Sequence, residues 1–157
     1  MKTILKKIYL KCRRYVLQAL SRLLDQEPAS APLHAKDIRK ILFIRIDRIG
    51  DLVLSTPALR ALKKAFPSSK LTVLASRSNF PLLLNNPHVE QVIVYDNYRD
   101  VAGKIRLIKE LRYQHFDLVI DPYADYELKT AAIAFFCGAK TRLGYASYGR
   151  ELFFNLS

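Results

Sequence analysis

The chain has 157 residues, of which half are hydrophobic, 11% aromatic and only 12 glycine or proline. That excludes a disordered, collagen-like or low-complexity chain and supplies enough apolar mass for a core of one domain. Twenty-six basic residues stand against 14 acidic ones, a net charge of +12. No run of about 18 apolar residues occurs, so nothing reads as a membrane-spanning helix. Cys12 and Cys137 lie far apart without ligand spacing, which argues against a zinc site or a disulfide framework. The charge is uneven: residues 1–36 hold eight Lys/Arg and two acids, half of the whole excess. Such a balance suits an anionic partner: a phosphate-bearing substrate, an acidic membrane surface or nucleic acid.

Residues 2–25 read as one amphipathic helix. Ile4, Ile8, Cys12, Tyr15, Val16, Ala19, Leu20 and Leu23 recur at three- and four-residue steps, with Lys6, Lys7, Lys11, Arg13, Arg14 and Arg22 on or beside the other face. The charges interrupt any secretory h-region. An in-plane membrane helix with its basic face toward anionic headgroups is one reading. A helix docked on its own domain or on a partner is the other. Residues 26–37, with Pro28 and Pro32, read as a linker.

From Ile38 the pattern alternates strand and helix. Ile41–Ile46 is an apolar run typical of a strand buried on both faces. Leu52 to Phe66 is helical, with Leu54, Ala58, Leu62 and Phe66 on one face. Leu71–Ala75 is a second strand, a short helix surrounds Pro81–Leu84, and Gln91–Tyr95 is a third strand. Val101 to Tyr113 repeats the helical spacing through Val101, Ile105, Ile108 and Leu111. Asp117–Asp121 is a fourth strand, Tyr126 to Cys137 a helix closed by Gly138, and Thr141–Leu143 a short fifth strand. Strands separated by helices predict right-handed crossovers and an α/β fold with a doubly wound parallel sheet over residues 38–157.

Ligands of such sheets sit at the carboxyl ends of the strands. The first of these turns, Arg45 to Asp51 (RIDRIGD), has one glycine and no dinucleotide fingerprint, and no P-loop occurs. Gly50 allows a sharp turn and a close approach to a ligand. Asp51 opens the first helix with a carboxylate at the mouth of the sheet. It suits a general base for a sugar hydroxyl, and equally an acid that caps the helix and complements its dipole. Asp47 shares the ambiguity, and no ligand cluster supports a metal.

Ile41 to Ala75, with Gly50-Asp51 and Pro57-Ala58-Leu59-Arg60-Ala61-Leu62, resembles the opening of glycosyltransferase family 9, the ADP-heptose:lipopolysaccharide heptosyltransferases. Asn86-Pro87-His88-Val89 before Val92–Asp96, Phe116–Asp121, and Ala134–Tyr145 continue the likeness in order. The resemblance implies the Rossmann-like amino-terminal half of a GT-B enzyme, metal-independent and without a resident cofactor. It implies an inverting transfer of heptose from a nucleotide-sugar to a lipopolysaccharide core or other surface-glycan acceptor, on the inner face of the bacterial inner membrane. Asp51 matches the catalytic base. Arg48, the Gly50 backbone and Arg150 would face an anionic acceptor, although Arg150 reads as well as a solvated surface arginine.

Two departures qualify the likeness. The family's Asp-x-Gln-Gly segment is Asp121 to Asp125 (DPYAD) here, and the chain ends where the family's donor domain begins. The expectation is a fragment, a truncated product or one part of a split enzyme, with a separate donor-domain chain as a partner. A non-catalytic, membrane-associated module binding an anionic glycolipid is the alternative. A nucleic-acid binder is disfavoured, because the basic residues of the body are scattered without aromatic stacking partners.

Overall fold

A computed structural model describes residues 34–96, 100–147 and 149–156, together with Tyr9, Arg13 and Tyr15. The last three have helical backbone. The rest of the helix predicted for 2–25, and the linker as far as residue 33, lie outside the described residues.

The described residues form a five-stranded, all-parallel sheet in the order β3-β2-β1-β4-β5. The elements are β1 (Lys40–Arg45), α1 (Ile49–Ala65), β2 (Lys70–Ser76), β3 (Gln91–Tyr95), α2 (Val101–Tyr113), β4 (Leu118–Asp121), α3 (Lys129–Phe136) and β5 (Thr141–Gly144). Short 3₁₀ turns lie at Phe80–Leu83 and Arg150–Phe153. β1 sits at the centre, pairing Ile41 with Leu71 on one side and Leu118 on the other. Ile41 to Ile44 are all buried. Phe43 packs with Leu52 and Leu59 of α1, whereas Leu42 and Ile44 pack with Leu107, Leu111 and Ala134 of α2 and α3. Layers on both faces confirm the doubly wound α/β reading.

Two helices turn inward only part of the row their spacing suggests: Leu62 and Phe66 of α1 and Ile108 and Leu111 of α2 face the core, and the rest of each row does not. In α1 the inward row is Leu52, Ser55 and Leu59, continued by the half-buried Leu62 and Phe66, while Leu54 is 79% exposed and Ala58 is also exposed. The reason is geometric. In α1 the expected row of strict four-residue steps drifts by about 40° at each step, whereas the inward row alternates three- and four-residue steps and stays on one face. In α2 the buried row is Gly103, Leu107 and Leu111, with Val101 and Ile105 outside.

α1 also starts three residues earlier than its apolar pattern suggests, so Gly50 and Asp51 are helical. Pro57 inside the helix cannot bond to the Val53 carbonyl. The Thr56 hydroxyl donates to that carbonyl instead, at 2.8 Å. α3 begins at Lys129, not Tyr126, because the Glu127 carbonyl accepts from Arg150 at 2.6 Å rather than from the helix. It ends at Cys137, followed by Gly138 at φ 78°, the left-handed closing position predicted for it.

β5 is backed by the chain's last turn. A Cβ on Gly144 would run into the Phe154 ring, which is itself buried in the core. Gly144→Ala is therefore expected to destabilise the fold by roughly 1–3 kcal/mol, an overpacking cost. Urea denaturation checks this, and combining it with Phe154→Leu should recover part of the loss.

Candidate functional site

The strand order changes direction between β1 and β4, since the chain leaves β1 toward β2 and returns from the edge at β3 to β4. Open parallel sheets bind ligands at this reversal, outside the carboxyl ends of the two strands. The residues there come from the turn after β1, the turn after β2, and the segment between β4 and α3.

The turn after β1 is held by its backbone. Arg45 Nε donates to the Asp51 carbonyl at 3.2 Å, and the Ser55 hydroxyl donates to the same oxygen at 2.7 Å. Arg45 also pairs with Asp47 at 3.1 Å. From the turn after β2, Asn79 Nδ2 donates to the carbonyls of Arg45 and Asp47, at 3.2 and 3.1 Å. Asn79 is wholly buried, and its Oδ1 has no partner among the described residues. Burial raises the Asp47 carboxyl against the pull of Arg45, and the Asp51 charge pushes it the same way as burial.

Asp51 differs from its neighbours. Its main-chain oxygen is pinned twice, yet its half-buried carboxylate accepts no hydrogen bond and forms no ion pair among the described residues. The cap position belongs to Arg48, in extended conformation and without a side-chain cap bond. The capping role that Asp51 was equally suited to is therefore not the one it takes; what remains of that reading is an acid in the first helical turn, favoured by the dipole. Arg48 is exposed and makes no side-chain bond among the described residues. Gly50 does not make the sharp turn expected of it, being helical, but the space beside it is open: a Cβ there meets nothing within 4 Å.

Arg150 is not a surface arginine. It and Asp121, the last residue of β4, have no exposed side-chain area and pair at 2.6 Å. The guanidinium also donates to the Glu127 carbonyl at 2.6 Å and lies 5.6 Å from the ring centroids of both Tyr123 and Phe154. Burial raises the Asp121 carboxyl while Arg150, the Thr130 hydroxyl and the Tyr123 amide draw it down. The pair fixes the segment between β4 and α3 against the last turn of the chain, so Arg150 supports the mouth from beneath. Asp121 was not singled out from the sequence. Its signal was there: a carboxylate closing a fully buried apolar strand must find a partner.

Among the described residues no three His, Cys, Asp or Glu side chains gather as a metal site, and no helix is long and apolar enough to cross a membrane. No family model matches the chain. It is 30% identical over 118 residues to a putative glycosyltransferase of Haemophilus influenzae, covering 75% of this chain and 34% of that protein. It is 32% identical over 77 residues to lipopolysaccharide heptosyltransferase 3 of Escherichia coli, covering 46% and 23%. Among solved structures, ADP-heptose lipopolysaccharide heptosyltransferase II of E. coli matches with a TM-score of 0.64 and 26% identity, over 74% of this chain and 33% of that one. A family 9 glycosyl transferase from Veillonella parvula shares the fold at a TM-score of 0.63 and 22% identity. The resemblance to glycosyltransferase family 9 thus holds along up to three quarters of the chain, which spans between about a quarter and a third of the length of these relatives.

Removing one member of the buried pair leaves the other as an uncompensated charge. Arg150→Met is expected to cost about 3–5 kcal/mol in urea denaturation. Arg150→Met combined with Asp121→Asn should recover a large part, because neither charge then remains. A loss under about 1 kcal/mol in the single variant would show that water reaches the pair.

Proposed function

We propose that this chain is the acceptor-side part of an inverting glycosyltransferase that transfers heptose, or a related sugar, from a nucleotide-sugar to a lipopolysaccharide core or similar surface glycan. The single observation that carries the reading is the carboxylate of Asp51. It stands at the reversal of strand order with its backbone pinned by Arg45 and Ser55 and its oxygens unclaimed. A general base needs that combination: fixed position and free lone pairs. The relatives' names supply the transfer chemistry.

In this reading Asp51 takes the proton from the acceptor hydroxyl as that oxygen attacks the anomeric carbon, and the nucleotide diphosphate departs on the far side. The acceptor proton passes to the Asp51 carboxylate. Arg48, exposed at the helix start, and the amide of Gly50, beside open space, meet the anionic groups of the acceptor. Arg150 acts through Asp121 by holding the floor and does not touch the sugar. Residues 2–25 would lie on an anionic membrane surface, where the lipid-linked acceptor is found.

Asp51→Asn keeps the shape but cannot accept the proton. In a transfer-competent enzyme bearing this site, the rate is expected to fall by about two to four orders of magnitude with acceptor affinity little changed. Because Asp51 makes no cap bond, the same substitution should cost no more than about 1 kcal/mol of stability, the worth of a carboxylate near the positive end of the helix dipole. Normal turnover in the folded variant would overturn the reading in favour of a non-catalytic glycolipid-binding module. The mouth also lacks a phosphate-cradling glycine loop. Calorimetry of residues 1–157 with ADP-sugars is accordingly expected to show nothing tighter than about millimolar, and micromolar affinity would place the donor site within this chain.

A further inference from the structure

The helical layer opposite α1 carries an apolar surface that neither Asp51 nor the amino-terminal arm explains. Between α2 and α3 runs a groove of about 250 Å³, floored by Tyr95 and walled by Leu107, Ile108, Ala132 and Ile133, with Phe136 at one end. Phe136 is 51% exposed. Val101 and Ile105, the two residues of α2 that turn outward against expectation, are 70% and 50% exposed. Val101, Lys104 and Ile108 fall on one stripe at three- and four-residue spacing, so the exposed residues continue the groove wall. An apolar surface of this kind, rimmed by charge, marks an interaction site.

The rim decides the occupant. Lys104 and Lys129 line the groove, and neither forms an ion pair among the described residues. The Lys129 ammonium lies 4.9 Å from the Tyr95 ring centroid. Asp100, at the start of α2, turns its carboxylate back onto the Gly103 amide at 3.3 Å. Further basic residues of α2, Arg106, Lys109 and Arg112, are exposed around the helix. An apolar trough with cationic lips matches an amphiphile with an anionic head. It disfavours the chain's own arm, whose charge has the same sign.

We propose that the α2–α3 groove seats the acyl chain of an anionic lipid, with the headgroup phosphate on Lys104 and Lys129, so that this face lies against the membrane. A long apolar chain fills the trough and the two ammonium groups meet a phosphate at its end, which is the arrangement of an interfacial site on an acidic leaflet.

The chain has no tryptophan, so one introduced residue reports alone. Phe136→Trp places it in the groove of the full chain, and Leu54→Trp places it on the exposed side of α1, across the sheet. With phosphatidylglycerol vesicles bearing brominated acyl chains, the emission of Phe136→Trp is expected to shift to the blue and be quenched, while that of Leu54→Trp is unchanged. Phosphatidylcholine vesicles should quench neither. Adding Lys104→Gln and Lys129→Gln should raise the lipid concentration for half-quenching by roughly tenfold or more. Should Phe136→Trp fail to fold by circular dichroism, Ile105→Trp on the same face takes its place. Three results overturn the proposal. The protein pellets with vesicles but the groove reporter is silent, so that the arm alone binds. The α1 reporter responds instead. Or the groove reporter is blue-shifted without lipid and sedimentation shows a dimer, so that a second copy fills the groove.

Discussion

The architecture follows from the double-sided burial of β1. Ile41 to Ile44 are covered by α1 on one face and by α2 and α3 on the other, so no polar side chain can sit along that stretch without losing its water. Polarity is thereby confined to the ends of the strands. At the carboxyl end this produces, within seven residues, Arg45, Asp47, Arg48 and Asp51. The chemistry gathers where the core stops.

Once gathered, most of these charges are consumed structurally. Arg45 is divided between Asp47 and the Asp51 carbonyl, Asn79 braces two carbonyls of the same turn, and Arg150 neutralises Asp121. Such bonds hold backbone in place at modest net gain, but an unpaired buried group would cost far more. The consequence is selective. Asp51 and Arg48 alone of the named mouth residues keep unclaimed charged side chains among the described residues. The supporting charges are paired and hold the backbone of the mouth, and two charged side chains are left open.

The order and kind of the elements were legible because each apolar run ends at a polar turn, and the period changes from continuous to helical at each boundary. Helix faces were less legible. Four-residue rows such as Leu54-Ala58-Leu62-Phe66 look apolar on paper but wind off the face of a real helix. The Asp51 position could be read from the turn, since Gly50-Asp51 stands at a strand end. The Arg150–Asp121 pair could not, because it joins segments 29 residues apart and no local spacing encodes which arginine returns to which strand. Asn79 was invisible for the same reason: its partners lie 32 and 34 residues away.

The misread face of α2 also bears on how the molecule meets its surroundings. Apolar residues that helical spacing would send into a core, Val101 and Ile105, are left outside because Leu107 and Leu111 already fill the space over the sheet. Keeping a second apolar row on the surface carries an aggregation risk that a free-standing domain would shed. The row begins at the amino-terminal end of α2, just beyond the end of β3, and Lys129 begins α3 just beyond the end of β4. In a parallel sheet both positions lie at the carboxyl edge, the same edge as Asp51. The apolar groove and the polar mouth are therefore separate surfaces that open on one side of the molecule. In the proposed reading the acceptor is a lipid-linked sugar with the same division, an apolar anchor and a polar head, and a groove and a mouth that share an edge would suit it.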